Sequence, residues 1–236
     1  GLFNDGGQLT IDSQTTISQN LATGTAGSGG GLLSIAGTVN ISGNTLFDSN
    51  SANRAGGAIE VVDGEMYVTD AVMLNNDVNN LAAGMANPGN GGAVHISGPA
   101  LSQFDAVHID ANQAASEGGG LWNGSGVMTI VDHTVDGNTA SGNDVITPGA
   151  AGGGGIYNEG GTLDLSGSTA ITNNVADGAQ STGGGILNAA GTLMANGISI
   201  MNNTSNRAGG GIEANNSGPV ILTNVSLNSN ETGVVT

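Results

Sequence analysis

The chain has 236 residues, with 44 glycines, no cysteine, and 19 acidic residues against two arginines, for a net charge of −17. That balance argues against nucleic acid, anionic lipid or polyuronate as a partner, since each needs cationic contacts. The missing cysteine excludes disulfides, a thiol nucleophile and thiolate metal sites, and no run of 18 apolar residues is present to span a membrane as a helix.

The chain in order is one unit copied many times. Gly1-Leu2-Phe3-Asn4-Asp5-Gly6-Gly7-Gln8-Leu9-Thr10-Ile11 aligns without a gap on the stretch from Gly155 to Leu165. Later copies open on a glycine pair, a small residue and an aliphatic, near residues 29, 56, 91, 118, 153, 183 and 209. Each closes on a hydrophobic residue three places before an asparagine. These pairs are Ile17–Asn20, Phe47–Asn50, Ile109–Asn112, Val135–Asn138, Ile171–Asn174, Ile200–Asn203 and Leu227–Asn230, with Leu74–Asp77 in the third copy. Opening aliphatics are separated by 30, 27, 35, 27, 35, 30 and 26 residues. The excess falls between the closing asparagine and the next glycine pair, at Asp77–Asn90, Thr139–Gly152 and Val175–Thr182. Insertions held to one corner of a repeat map to loops on one face, often a binding face.

Within a copy the apolar period is two: Leu9 and Ile11, Val39 and Ile41, Met66 and Val68, Met128 and Ile130, Leu163 and Leu165. Such alternation reads as a strand with one face buried. The spacing predicts an all-β, right-handed parallel β-helix of about eight coils, as one solenoid domain over residues 1–236, with about three short strands per coil. Eight coils at about 4.8 Å each make a rod of roughly 38 Å. Gly56 and Gly57 turn a corner and let stacked backbones approach, and Ile59 points inward. The closing asparagines suit a left-handed corner and a stacked amide ladder, and a second column runs through Asn4, Asn123, Asn158 and Asn188.

Gly56-Gly57-Ala58-Ile59 and Phe47-Asp48-Ser49-Asn50 are literal GGAI and FxxN motifs. In these the chain resembles the repeats of chlamydial polymorphic outer-membrane proteins. More broadly it is similar to bacterial right-handed β-helix surface proteins with GGGIxN-type repeats. The resemblance covers essentially the whole chain. It implies a secreted or cell-surface passenger with structural or adhesive work.

Candidate chemistry is sparse. Parallel β-helices include polysaccharide lyases and hydrolases, and the enzyme alternative rests on Asp132, Asp136 and Asp110, with His133, Asp105 and His108 nearby. Arg54 and Arg207 share one corner context and read as turn residues bonding carbonyls. Ca²⁺ is the cation that the corner residues Asp5, Asp63, Asp77, Asp144 and Asp177 suit, without the calcium-binding nonapeptide. Trp122 and Tyr157 follow the opening aliphatic and are expected to point outward, where they, like Tyr67, can stack on a sugar ring. The first copy begins in register at Leu2, and a second copy's Gly1 placed after Thr236 nearly keeps the repeat. The expected function is therefore a non-enzymatic extracellular rod. It is either a passenger joined to adjoining segments or a subunit stacking end to end.

Overall fold

The computed structural model describes residues 1–78, 89–143 and 151–233. The described strands form four sheets, each parallel and eight-stranded, and every sheet takes one strand from every copy. This is the β-solenoid that the repeat predicts. The fifth coil shows the plan: strands Leu121–Asn123, Val127–Val131, Thr134–Asp136 and Thr139–Ala140. Leu121, Met128, Ile130, Val135 and Ala140 point inward and are fully buried. Alternation fixes this choice, because a slip of one residue would turn every side chain to the other face.

Each coil thus has four strands, not three. The extra strand is two residues long, directly after the closing asparagine, as at Ser51–Ala52 and Thr139–Ala140. Its inward position is held by small residues in successive coils: Ala52, Val78, Ala114, Ala140, Ala176 and Ser205. Small side chains are required because the glycine corner packs directly on this strand. A Cβ on Gly119 would overlap both the Gly154 carbonyl of the next coil and the Thr139 backbone of its own coil, well under 3.0 Å from each.

The glycine pair divides its labour. The first member, from Gly29 through Gly209, is left-handed, with φ between 59° and 66°. The second member allows the close approach just described. At this corner successive N–H groups all donate to the following coil: Gly118 to Gly152 O, Gly119 to Gly153 O, and Gly120 to Gly155 O.

The closing asparagines form one continuous amide ladder. Asn20, Asn50, Asn76, Asn112, Asn138, Asn174, Asn203 and Asn230 stack in order, each Nδ2 donating to the next Oδ1 at 2.9–3.0 Å. Each backbone N–H also donates to the next Oδ1, at 2.9–3.1 Å. From Asn50 onward, each Nδ2 also donates to a carbonyl of the coil before, as Asn50 does to Ile17 O and Asn138 to Ile109 O, both at 2.8 Å. Every polar atom of these buried amides is thereby used, which is what burial demands.

Two details correct the repeat as read from sequence. The third rung is Asn76, paired with inward Met73, not Leu74 with Asp77; Met73 pairs with Phe47 and Ile109 in register. The left-handed residue is the one before the asparagine: Gln19, Ser49, Asn75, Ala111, Gly137, Asn173, Asn202 and Ser229, with φ between 52° and 60°. The asparagine itself is thereby free to aim its amide along the stack. The second asparagine column is partial. Asn123 donates to Asn158 at 2.8 Å and Asn158 to Asn188 at 2.7 Å, whereas Val61 and Ile96 occupy the same column in the middle coils. Its other end is Asn4, which donates to Ser34 Oγ at 3.1 Å.

Candidate functional site

The outward column of the first sheet holds the most unusual side chains. In register it runs Leu33, Glu60, His95, Trp122, Tyr157, Leu187 and Glu213. Trp122 and Tyr157 do point away from the solenoid core, as alternation requires. They are nevertheless buried, 1% and 5% exposed, in a cluster of their own with Leu187. That corrects the expectation of an open sugar-stacking face: the rings stack on each other at 5.9 Å, and Trp122 stacks on His95 at 4.2 Å. Trp122 Nε1 donates to Glu117 Oε2 at 3.0 Å, as does Asn90 Nδ2. Burial, then the charges of Glu117 and Glu159, pushes the Tyr157 phenol far above its ordinary value.

Below Trp122 the column becomes ionic. Glu60 is fully buried and meets Arg54 Nη2 at 2.8 Å and His95 Nδ1 at 2.8 Å. Ser97 Oγ donates to the same carboxylate. Burial alone would raise the Glu60 carboxyl. His95 and Arg54, with the Ser97 hydrogen bond, outweigh it and hold the group below its ordinary value. Arg54 is therefore an ion-pair residue, with its Nε on Ser28 Oγ at 2.8 Å, and not a binder of turn carbonyls alone. Arg207 and Glu213 repeat the six-residue spacing of Arg54 and Glu60, but no ion pair joins them among the described residues. Arg207 is exposed. The Glu60–His95 pair escaped sequence reading because its members lie in different coils. Aligning the residue after each opening aliphatic would have shown it.

The aspartates of the enzyme alternative are dispersed by role. Asp110 and Asp136 are register partners on the outer face of the third sheet. Asp136 Oδ1 accepts from Thr172 Oγ1 at 2.5 Å and Asn173 Nδ2 at 2.7 Å. Burial raises the Asp110 carboxyl; the His108 charge opposes this and the Asp136 charge adds to it. Asp132 sits at a left-handed turn instead, φ 52°. There it accepts from Ser168 N–H and Oγ at 2.7 and 2.9 Å, which lowers its carboxyl. None of the three lines either of two surface clefts, one at the edge of the first coil and one on the second sheet.

His133 points inward, in a buried column with Val107, Thr169 and Ile198, and accepts from Val107 N–H at 3.2 Å. Burial, reinforced by the charge of His108, pushes its imidazole down to about 3. The folded protein thus keeps His133 neutral, whereas the unfolded chain protonates it near its ordinary value of 6.5. Stability from this group is complete above pH 6.5 and is lost as the pH falls from there toward 3. Between pH 7 and pH 5 the loss is expected to be about 2 kcal/mol. Urea unfolding of the wild type and of His133→Gln at both pH values measures it; the variant should lose less by about that amount.

Among the described residues, no three acidic or histidine side chains come together as a metal-ligand set. Asp63 bonds the Gly64 N–H at 2.7 Å and Asp77 accepts from Ser51 Oγ at 2.5 Å, which are turn and strand contacts. Asp144, most of the two longest insertions and residues 234–236 lie outside the described residues. No helix of the described residues is long and apolar enough to cross a membrane.

The two end coils differ from the rest in what they leave open. In the eighth coil Val220, Leu222 and Leu227 continue the inward columns of Leu193, Ala195 and Ile200, yet they are 37%, 43% and 49% exposed. In the first coil Leu2, in the inward column of Leu32, is 41% exposed, whereas Ile11 and Ile17 are buried. Asn230 offers its backbone N–H and Nδ2 at one end of the ladder, and Asn20 Oδ1 is the acceptor at the other, bonded to the Gly1 ammonium at 2.9 Å. No protein-family model, no curated protein and no solved structure matches the chain.

Proposed function

We propose that the protein is a non-enzymatic extracellular rod with structural or adhesive work, whose end coils each accept a further coil of the same geometry. The observation that carries this reading is the eighth coil. Its inward aliphatics and terminal ladder amide are covered in every earlier coil by the next coil, and here are open. The occupant is a β-solenoid coil, from an adjoining stretch of a surface-protein passenger or from a second copy. Stacking copies is a head-to-tail contact, which propagates into an open filament and does not close into a ring.

In the purified chain the coil on offer belongs to a second copy. Electron microscopy and sedimentation at rising protein concentration are expected to show uniform fibres. Added salt should speed assembly, because a net charge of −17 repels its own copies and salt screens that repulsion. A double variant, Leu222→Lys with Leu227→Lys, should leave short rods with the wild-type strand signal in circular dichroism. Short wild-type rods at every concentration and salt level would exclude self-stacking and leave the passenger arm. A closed, discrete oligomer would overturn the head-to-tail contact.

A further inference from the structure

We propose that the outer face of the second sheet carries a binding site for a neutral glycan. The site is an open cleft of about 290 Å³ lined by Tyr67, Thr69, Gln103, Asp105, Thr129 and Val131. It is built from strands Glu65–Thr69, Leu101–Asp105 and Val127–Val131, neighbours in three successive coils. Besides Phe104, which also lines the cleft, register makes the outward-facing lining a two-by-three array: Tyr67, Gln103 and Thr129 in one column, Thr69, Asp105 and Val131 in the other. Neighbours across strands lie about 4.8 Å apart, and the columns are separated by about 6.6 Å.

The chemistry of the array selects the ligand class. Tyr67 is half-buried and donates its hydroxyl to Glu65 Oε2 at 3.2 Å. The ring is thus held by its polar tip, while the aromatic body remains part of the cleft wall. A ring fixed in this way offers a flat apolar surface for the C–H face of a pyranose. Beside it stand an amide, two hydroxyls and a carboxylate. Gln103 and the threonines both donate and accept, and Asp105 accepts, which matches the mixed donor–acceptor edge of a sugar.

Charge narrows the class. Asp105 lines the cleft and Glu65 stands beside Tyr67. Of the two arginines, Arg54 is engaged with Glu60 and Ser28, and neither lines the cleft. Sulfated, phosphorylated and uronic sugars would therefore meet repulsion without a compensating cation. The volume falls just below the range for ligand pockets, about 300–1,000 Å³. That suits one or two rings of a longer chain lying on an open face. This site is independent of the end coils and extends the adhesive side of the proposed function.

The test uses the Leu222→Lys, Leu227→Lys rods, so that assembly and binding are read separately. Probes are neutral β-1,4-glucose, α-1,4-glucose and β-1,4-N-acetylglucosamine oligosaccharides, with oligogalacturonate and pentalysine as charged comparators. Saturation-transfer NMR and calorimetry are expected to detect at least one neutral oligosaccharide. Tyr67→Ala and Gln103→Ala should each weaken it by at least about tenfold. Tyr67→Phe, which keeps the ring, should stay within about threefold, and the distant Asp5→Asn should leave binding unchanged. An unchanged melting temperature shows that the cleft variants fold. The proposal is overturned by no neutral binding at millimolar probe, by binding that survives Tyr67→Ala, by oligogalacturonate binding as well as the neutral probes, or by binding of pentalysine alone.

Discussion

Gly119→Ala is expected to cost more than about 4 kcal/mol, enough to remove a large part of the stability of an ordinary domain. The added methyl has no void to enter. Its position overlaps the Gly154 carbonyl on one side and the Thr139 backbone on the other, and both belong to hydrogen-bonded strands or corners. A side chain can rotate away from a clash; these backbones can move only by opening the fourth strand or parting two coils. Because each coil touches its neighbours alone, the break divides the stack into two shorter arrays. Gly160→Ala is the control. A Cβ there meets nothing within 4 Å, and the variant should match the wild type or gain a few tenths of a kcal/mol. Urea unfolding followed by circular dichroism measures both. A Gly119→Ala midpoint near that of Gly160→Ala would show that the coils can breathe apart cheaply.

Asn138→Ala is the second large effect, expected at roughly 3–5 kcal/mol. Its side chain takes two hydrogen bonds from Asn112 and gives two, to Ile109 O and to Asn174 Oδ1. Deleting it leaves the buried backbone N–H of Asn112 and one of its amide hydrogens without partners and takes one bond from the Ile109 carbonyl, at a rung that is fully buried. The penalty is for stranding those groups, more than for the bonds lost. Asn230→Ala should cost only about 1 kcal/mol. Asn230 ends the ladder, is partly exposed, and leaves groups that solvent can satisfy. Equal costs at the two positions would mean that the ladder adds nothing beyond an ordinary surface amide.

Much of this architecture was legible because the repeat is strict where backbone geometry is strict. Glycine at the corner and asparagine on the ladder have no good substitutes, so both stand out in a single sequence. The misreadings have physical causes. Asn75 and Asn76 are adjacent, and choosing Leu74–Asp77 moved the third rung by one residue. The fourth strand has two residues per coil, too short to show a period. Alternation alone sends Trp122 and Tyr157 outward, but burial on the outer side of a sheet depends on residues remote in sequence. The Glu60–His95 pair spans one coil of 35 residues, so its members look unrelated until the coils are stacked.

The ladder also makes the rod electrically polar. Along the stacking direction of an ordinary parallel sheet, successive peptide dipoles alternate and nearly cancel. Here seven side-chain amide links and the glycine-corner N–H groups all point from the first coil toward the eighth. An amide carries about 3.5 D, so the seven links alone sum to roughly 25 D with the positive pole at the eighth coil. Two rods meeting end to end thus attract in one orientation and repel in the other. Any fibre built from them would inherit a direction, with chemically distinct growing tips.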